Sequence, residues 1–301
     1  MAPRDSGALP GRHELDAVCG ALGLDPSGAR MLPSRSNAVF HLPAAAVVVR
    51  LSGATPTNEA RAARAVSLTS WIVAHGGPAL APTPHPQPVR DAGTVATLWP
   101  YLPSSTVPRA RDLANAVREL HHLDGQPPPL PGHQPLARLH EALDLDAARD
   151  HPLLATDSYE WILAHAARLQ YAYETISMPL GRGLIHADAQ LDNLIQDCDG
   201  RWLLIDWDRA SHGPRELDLA YAVPDHFHDS DIERTEFSSA YGYDITTWPG
   251  WTLIRDLIEL HSLASYIRRA ATNLAARNEF DRRVVSLVNN DRSVVWRGVS
   301  G

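Results

Sequence analysis

The sequence predicts an α+β fold in two lobes: a small N-terminal antiparallel sheet with one long helix, and a larger, mostly helical C-terminal part. Three features predict it. Short β-branched and aromatic runs separated by turns occupy residues 29–51 and 94–102. A single long helical pattern fills the interval 55–76. From residue 109 onward helical periodicity prevails, interrupted by short apolar runs between 183 and 208. A chain of 301 residues suits about two domains at roughly 100–200 residues each. The expected division is 1–100 and 101–301, with the hinge near Pro100 and Pro103.

In chain order, residues 12–23 have the apolar spacing of a short helix, and 29–51 reads as three strands. The helix over 55–76 starts among Thr and Asn cap candidates and stops at Gly76. Residues 78–93 are too rich in proline for a regular helix, and TVATLWPYL resumes as a strand. Further helices are expected over 109–122, 136–149 and 158–176, with a proline-rich connection at 125–135. From about residue 215 the chain again reads as mostly helical, and no internal repeat stands out.

Composition narrows the functions. A net charge of −8 without any basic block argues against nucleic-acid binding. Two cysteines are too few for a disulfide framework or a cysteine-based metal site, which points to a reducing, cytoplasmic setting. The N-terminal segment has no long apolar run, so neither a signal peptide nor a membrane anchor is expected. The chain contains no lysine; all 27 basic residues are arginine. That absence constrains any mechanism requiring a lysine.

The chemistry-bearing stretch is GLIHADAQLDNLIQDCDGRWLLIDWD, residues 183–208. An Asp five positions before an Asn is by itself an ordinary turn or cap pair. Here, however, Leu184 and Ile185 precede the loop, Leu194 and Ile195 follow it, and WLLID ends a second strand at Asp206. Hairpin spacing would bring Asp188, Asn193 and Asp206 to one sheet edge. Oxygen donors gathered there suit a hard cation such as Mg2+, held by few protein ligands together with nucleotide phosphates. Phosphoryl transfer needs that arrangement, plus a carboxylate to orient the attacking hydroxyl.

The order His-x-Asp-x-x-x-x-Asn, apolar strand, Asp resembles the catalytic and metal loops of protein-kinase-like enzymes. HADAQLDN, LLIDWD and GPRELDLA resemble, more closely, the aminoglycoside phosphotransferase and choline kinase superfamily over residues 30 to 225. The resemblance implies a bilobal protein-kinase-like fold and an ATP- and Mg2+-dependent phosphotransferase. It makes Asp188 the residue that orients or deprotonates the acceptor hydroxyl and Asn193 and Asp206 the metal ligands, with His186 and Asp218 supporting the loop. Ala187 stands where the family usually has Gly.

On the nucleotide side, Ser34, Ser36 and Asn37 occupy the place of the phosphate-covering turn, although a plain solvated turn reads the same way. Arg50 replaces the family's phosphate-binding lysine, and Glu59 is expected to pair with it unless it is simply an acid favoured in a helix's first turn. Adenine would lie along Trp99, Pro100 and Leu102, with Trp99 alternatively plain core. The expected partner is a small-molecule alcohol. Between 225 and 260, eight acids face two arginines, a balance of −6 that would attract a cationic acceptor or form a solvated acidic face. Asp208, Tyr221, Asp225, Trp248 and Trp251 are the acceptor-side candidates, with Asp208 alternatively reaching the metal through water or standing as a plain surface-turn carboxylate. An aminoglycoside-type antibiotic is the first reading. A macrolide, amino alcohol or sugar kinase is the second, and a nucleotide-binding pseudokinase, marked by Arg50, is the third.

Overall fold

The structure, a computed structural model, describes residues 9–33, 37–91, 93–103, 106–222 and 231–298. Its architecture is the expected bilobal α+β fold. The elements follow as α1 (Arg12–Leu22), β1 (Arg30–Leu32), β2 (Ala38–Leu42), β3 (Val47–Gly53), α2 (Pro56–Ala74), β4 (Val89–Asp91), β5 (Thr94–Pro100), α3 (Ala110–His121), α4 (Ala137–Ala147) and α5 (Thr156–Thr175). Then come β6 (Arg182–Ile185), β7 (Leu194–Gln196), β8 (Trp202–Leu204), β9 (Ser211–Pro214), α6 (Glu216–Ala222), α7 (Asp231–Tyr241), α8 (Trp251–Arg269) and α9 (Leu274–Val288).

One compact unit comprises Met1–Pro108, Arg118–Leu130 and Asp192–Ala210. Its sheet is antiparallel, in the order β1-β2-β3-β5-β4. The three-residue strand β4 emerges from the proline-rich segment, where the sequence offered no alternation long enough to read. Alternation in the other strands turns Phe40, Leu42, Val49, Leu51 and Leu98 inward, and Leu15, Val18 and Cys19 of α1 bury against them. The same period puts Arg50 on the opposite face, opposite Val39 and Thr97 in register.

Helix α2 starts at Thr55, whose hydroxyl accepts from the Asn58 N–H at 3.2 Å, with Pro56 following as the first helical residue. Beyond α2, the Pro78 carbonyl accepts from the Leu204 N–H at 2.8 Å. That bond, with a parallel bridge between Ala79 and Leu204, ties the β7–β8 hairpin into this unit.

The other unit comprises Arg109–Val117, Pro131–Leu191 and Ser211–Gly301. Helix α8 is its axis, packing against α4, α5 and α9 through residues such as Ile254, Leu257, Leu260 and Leu263. Strands β6 and β9 pair antiparallel, and His212 is bridged to Gly132 on the other side. Gly213 is glycine for a steric reason: a Cβ there would meet Ile185 Cδ1 at 2.6 Å and His133 Cβ at 2.8 Å. Among the described residues no helix is long and apolar enough to cross a membrane.

Candidate active site

In the second unit the apolar pair Leu184–Ile185 ends β6, and the next residues are held by an acid from α6. Asp218 is fully buried. Its Oδ2 accepts from the His186 N–H at 2.8 Å and its Oδ1 from the Ala187 N–H at 2.6 Å. Charge-assisted bonds of this length are among the stronger ones in proteins. They hold Ala187 at φ 59°, a left-handed conformation that costs a residue with a Cβ roughly 1–2 kcal/mol. The chain thereby turns sharply at Ala187 and presents half-buried Asp188 next, with His186 fully buried behind it.

The other end of β6 is held from the same helix. Glu216, fully buried, accepts from the Leu180 N–H at 2.6 Å, and Arg215 donates to the Leu180 carbonyl at 3.0 Å. Gly183 lets the Arg215 guanidinium lie across the strand, since a Cβ there would meet Nη2 at 2.9 Å. Burial pushes the nearby Tyr241 phenol up, with Arg215 opposing and the carboxylates of Asp218 and Glu216 adding, so Tyr241 stays a neutral hydroxyl. The sequence pointed to Asp218 through GPRELDLA. Glu216, two residues earlier in the same stretch and in the first helical turn, was not singled out.

In the first unit, the β7–β8 hairpin pairs Leu194 with Leu204, and one step beyond the ladder the Ile205 N–H donates to the Asn193 carbonyl at 3.0 Å. Asn193, buried to 8% exposure, thus stands across from the residue before Asp206. Asp206 has φ 66°, and the turn 207–209 after it is pinned by buried Trp207, whose indole Nε1 donates to the Leu204 carbonyl at 3.0 Å.

Onto this turn comes Arg50. Nη1 donates to Asp208 Oδ1 at 3.0 Å, and Nη2 donates to Asp208 Oδ2 at 2.6 Å and to Asp206 Oδ1 at 3.0 Å. The first two bonds form a parallel, two-point contact of the kind only a guanidinium makes. The expected Arg50–Glu59 pair is corrected: Glu59 pairs with Arg90, which β4 places beside the start of α2. Strand β4, too short among its prolines to carry a legible alternation, supplies the competing cation.

The donor set fits a hard cation. Asp206 and Asn193 offer oxygens of the type Mg2+ prefers. Asp206 is 40% exposed at its side chain and uses Oδ1 for Arg50, while among the described residues Oδ2 accepts no hydrogen bond. Among the described residues no group of three or more His, Cys, Asp or Glu side chains could hold a metal by itself. An ion at Asp206 would need phosphate oxygens to complete its shell.

On the face of Arg50, Trp99 is registered with Val48, and its Nε1 donates to Thr97 Oγ1 at 3.0 Å. Pro100 pairs with Val47, and Leu102 follows the strand, half-buried. His41, across from Val48, stacks on Tyr101 with ring centroids 3.6 Å apart. Asn37 immediately precedes β2 and is half-buried. Ser34, Ser36, Asp225 and the side chain of Tyr221 lie outside the described residues.

Several acids of the 225–260 stretch are committed to arginines or to a cap. Asp256 accepts from Arg292 at 2.9 Å, and buried Glu259 pairs with Arg292 and Arg255. Glu236 lies 3.6 Å from Arg111, and Asp244 caps the turn 245–247 through the Thr246 N–H at 2.9 Å. Arg111 and Arg292, outside the 225–260 stretch, neutralise part of its acidic field. Trp248 packs over Gly250, and Trp251, half-buried, begins α8. Asp208, expected on the acceptor side, is the two-point partner of Arg50.

Residues 30–257 match the family described as "Phosphotransferase enzyme family". No curated protein matches the sequence. Among solved structures, the chain resembles the amicoumacin kinase hAmiN in complex with AMP-PNP, Ca2+ and Ami, with TM-score 0.68, 13% identity and 91% of each chain covered. It resembles choline kinase LicA from Streptococcus pneumoniae with TM-score 0.66 and 15% identity, over 92% of this chain and 99% of that one. Aminoglycoside phosphotransferase APH(3'')-Id from Streptomyces rimosus, in complex with ADP and streptomycin, gives TM-score 0.57 and 16% identity over 84% and 97%. At such identities the likeness is one of fold.

Proposed function

This chain belongs to the phosphotransferase enzyme family, and from that premise we propose that it transfers the γ-phosphoryl group of ATP to a hydroxyl of an amine-bearing small molecule, an aminoglycoside-type antibiotic being the first candidate. The observation that carries the reading is Arg50, whose guanidinium lies between Asp206 and Asp208. A fixed cation beside a carboxylate with a spare oxygen is what a triphosphate and its counter-ion require.

In this mechanism the acceptor oxygen attacks the γ-phosphorus, its bond to the β-phosphate oxygen breaks, and ADP leaves with that electron pair. Asp188 takes the hydroxyl proton. Asp218 fixes Asp188's loop through the two backbone N–H groups before it, so the base is oriented before substrate arrives. Arg50 binds phosphate oxygens, while Asn193 and Asp206 would hold Mg2+, whose chemistry is to neutralise charge on the transferring phosphates. Trp99, Pro100 and Leu102 would border the adenine.

A second reading, another alcohol such as a macrolide, amino alcohol or sugar, is favoured by the pairing of Asp256, Glu259 and Glu236 with arginines, which weakens the case for a strongly cationic acceptor. The test is ADP formation by the purified chain with Mg-ATP across aminoglycosides, macrolides, amino alcohols and sugars. Turnover confined to the aminoglycosides is the expected result. Turnover on macrolides, amino alcohols or sugars with none on aminoglycosides selects the second reading. Nucleotide binding without turnover on any of them would overturn the enzymatic reading in favour of a pseudokinase.

A further inference from the structure

We infer that Asp208 is the residue that orients the phosphate-binding cation of this chain, a positioning role carried by the turn 207–209 and not by Glu59 of α2. The inference rests on the reading of Arg50 as a phosphate ligand. A compact ammonium is held by a carboxylate from many directions, whereas a planar guanidinium is fixed in orientation only by two parallel bonds to one carboxylate. Asp208 supplies both, at 3.0 and 2.6 Å, with side chains only 18% and 24% exposed for Arg50 and Asp208.

The turn that carries Asp208 is well fixed, because Trp207 beside it is buried and hydrogen-bonded to the Leu204 carbonyl. Glu59 has its carboxylate on Arg90. With both Asp208 oxygens engaged by Arg50, the division of labour between the acids of IDWD follows: Asp208 orients the arginine, and Asp206 keeps an oxygen for the metal. A second arginine reinforces the arrangement. Arg64 of α2 has a buried Nε without a hydrogen bond, and its proton is loosened by burial and by Arg61 while Asp208 opposes. The one carboxylate of Asp208 thus lies in the field of two guanidiniums.

Steady-state kinetics with ATP and Mg2+ varied independently, using an acceptor on which the wild type turns over, decide the matter across Arg50→Met, Asp208→Asn, Asp208→Glu, Glu59→Gln and the double variant Arg50→Met with Asp208→Asn. Asp208→Asn is expected to raise the ATP KM about tenfold or more, the loss of a charge-assisted contact. The Mg2+ activation constant should stay put, and the double variant should be scarcely worse than Arg50→Met. Glu59→Gln should cost several-fold less than Asp208→Asn. Should the Asn variant melt below the assay temperature, Asp208→Glu, which keeps charge and misplaces it, is expected to raise the ATP KM in the same way.

A higher Mg2+ requirement in Asp208→Asn, with its ATP KM restored by excess Mg2+, would make Asp208 a metal ligand and overturn the inference. So would a larger loss in Glu59→Gln than in Asp208→Asn, or effects of Arg50 and Asp208 that simply multiply. An Arg50→Met enzyme with wild-type ATP dependence would instead remove Arg50 from the phosphates, and the inference would fall with the reading beneath it.

Discussion

Asp188 and its predecessor Ala187 divide one task between chemistry and shape. Ala187 adopts the left-handed conformation that turns the chain, and Asp188 is the carboxylate so delivered. On the proposed mechanism, replacing Asp188 by Ala removes the proton acceptor and leaves the proposed phosphate and metal ligands Arg50, Asn193 and Asp206 in the sequence. Turnover should fall about 10²- to 10⁴-fold, the usual contribution of a general base. ATP affinity by calorimetry should stay within a few-fold of wild type, and wild-type turnover in the variant would exclude Asp188 as the base. Asp206→Asn makes the opposite cut: the Mg2+ concentration for half-maximal activity should rise, because an amide oxygen is a poorer ligand for a hard cation than a carboxylate. Unchanged Mg2+ dependence would count against Asp206 as a ligand.

At the scale of elements, the start of α6 acts as a clip on strand β6, with Glu216 and the preceding Arg215 on Leu180, two residues before the strand, and Asp218 on the two residues after it. Asp218→Asn can accept at one oxygen only and turns an amide N–H toward a backbone N–H. It should destabilise the protein by about 2–3 kcal/mol, since a buried donor loses a charged acceptor. The signature is early hydrogen exchange at the His186 and Ala187 amides; unaltered protection there would show that something else holds the loop. Gly213→Ala drives a methyl into Ile185 of β6 and into His133 and should cost about 1–3 kcal/mol as overpacking, read as a lowered denaturation midpoint.

The same scale explains what could be read in advance. Helices α1 and α2 were readable to within a residue or two because Gly23, Thr55 and Gly76 carry boundary signals that act locally. The β7–β8 hairpin was readable from its spacing, and Asp218 from its motif. Strand β4 was not, because three residues among prolines carry no periodicity. Nor was the Arg50–Asp208 contact, whose partners are 158 positions apart and whose geometry depends on where a turn lands.

For the whole molecule, Mg-ATP should stabilise against heat more than ATP with a chelator. Ligand at 100 times its Kd contributes about 2.7 kcal/mol. If the midpoint shifts equally with and without Mg2+, the nucleotide binds without the ion and the joint site is wrong. The unit that holds Arg50 is also discontinuous along the chain, drawing on Asp192–Ala210 as well as the N-terminal stretch. Its arginine leaves the ribosome 156 residues ahead of Asp206 and 158 ahead of Asp208. At about 5–20 residues per second of synthesis, the guanidinium waits roughly 8–30 seconds for the carboxylates that receive it. A nascent chain stalled before residue 192 therefore contains the complete five-stranded sheet and neither of the aspartates that receive its arginine.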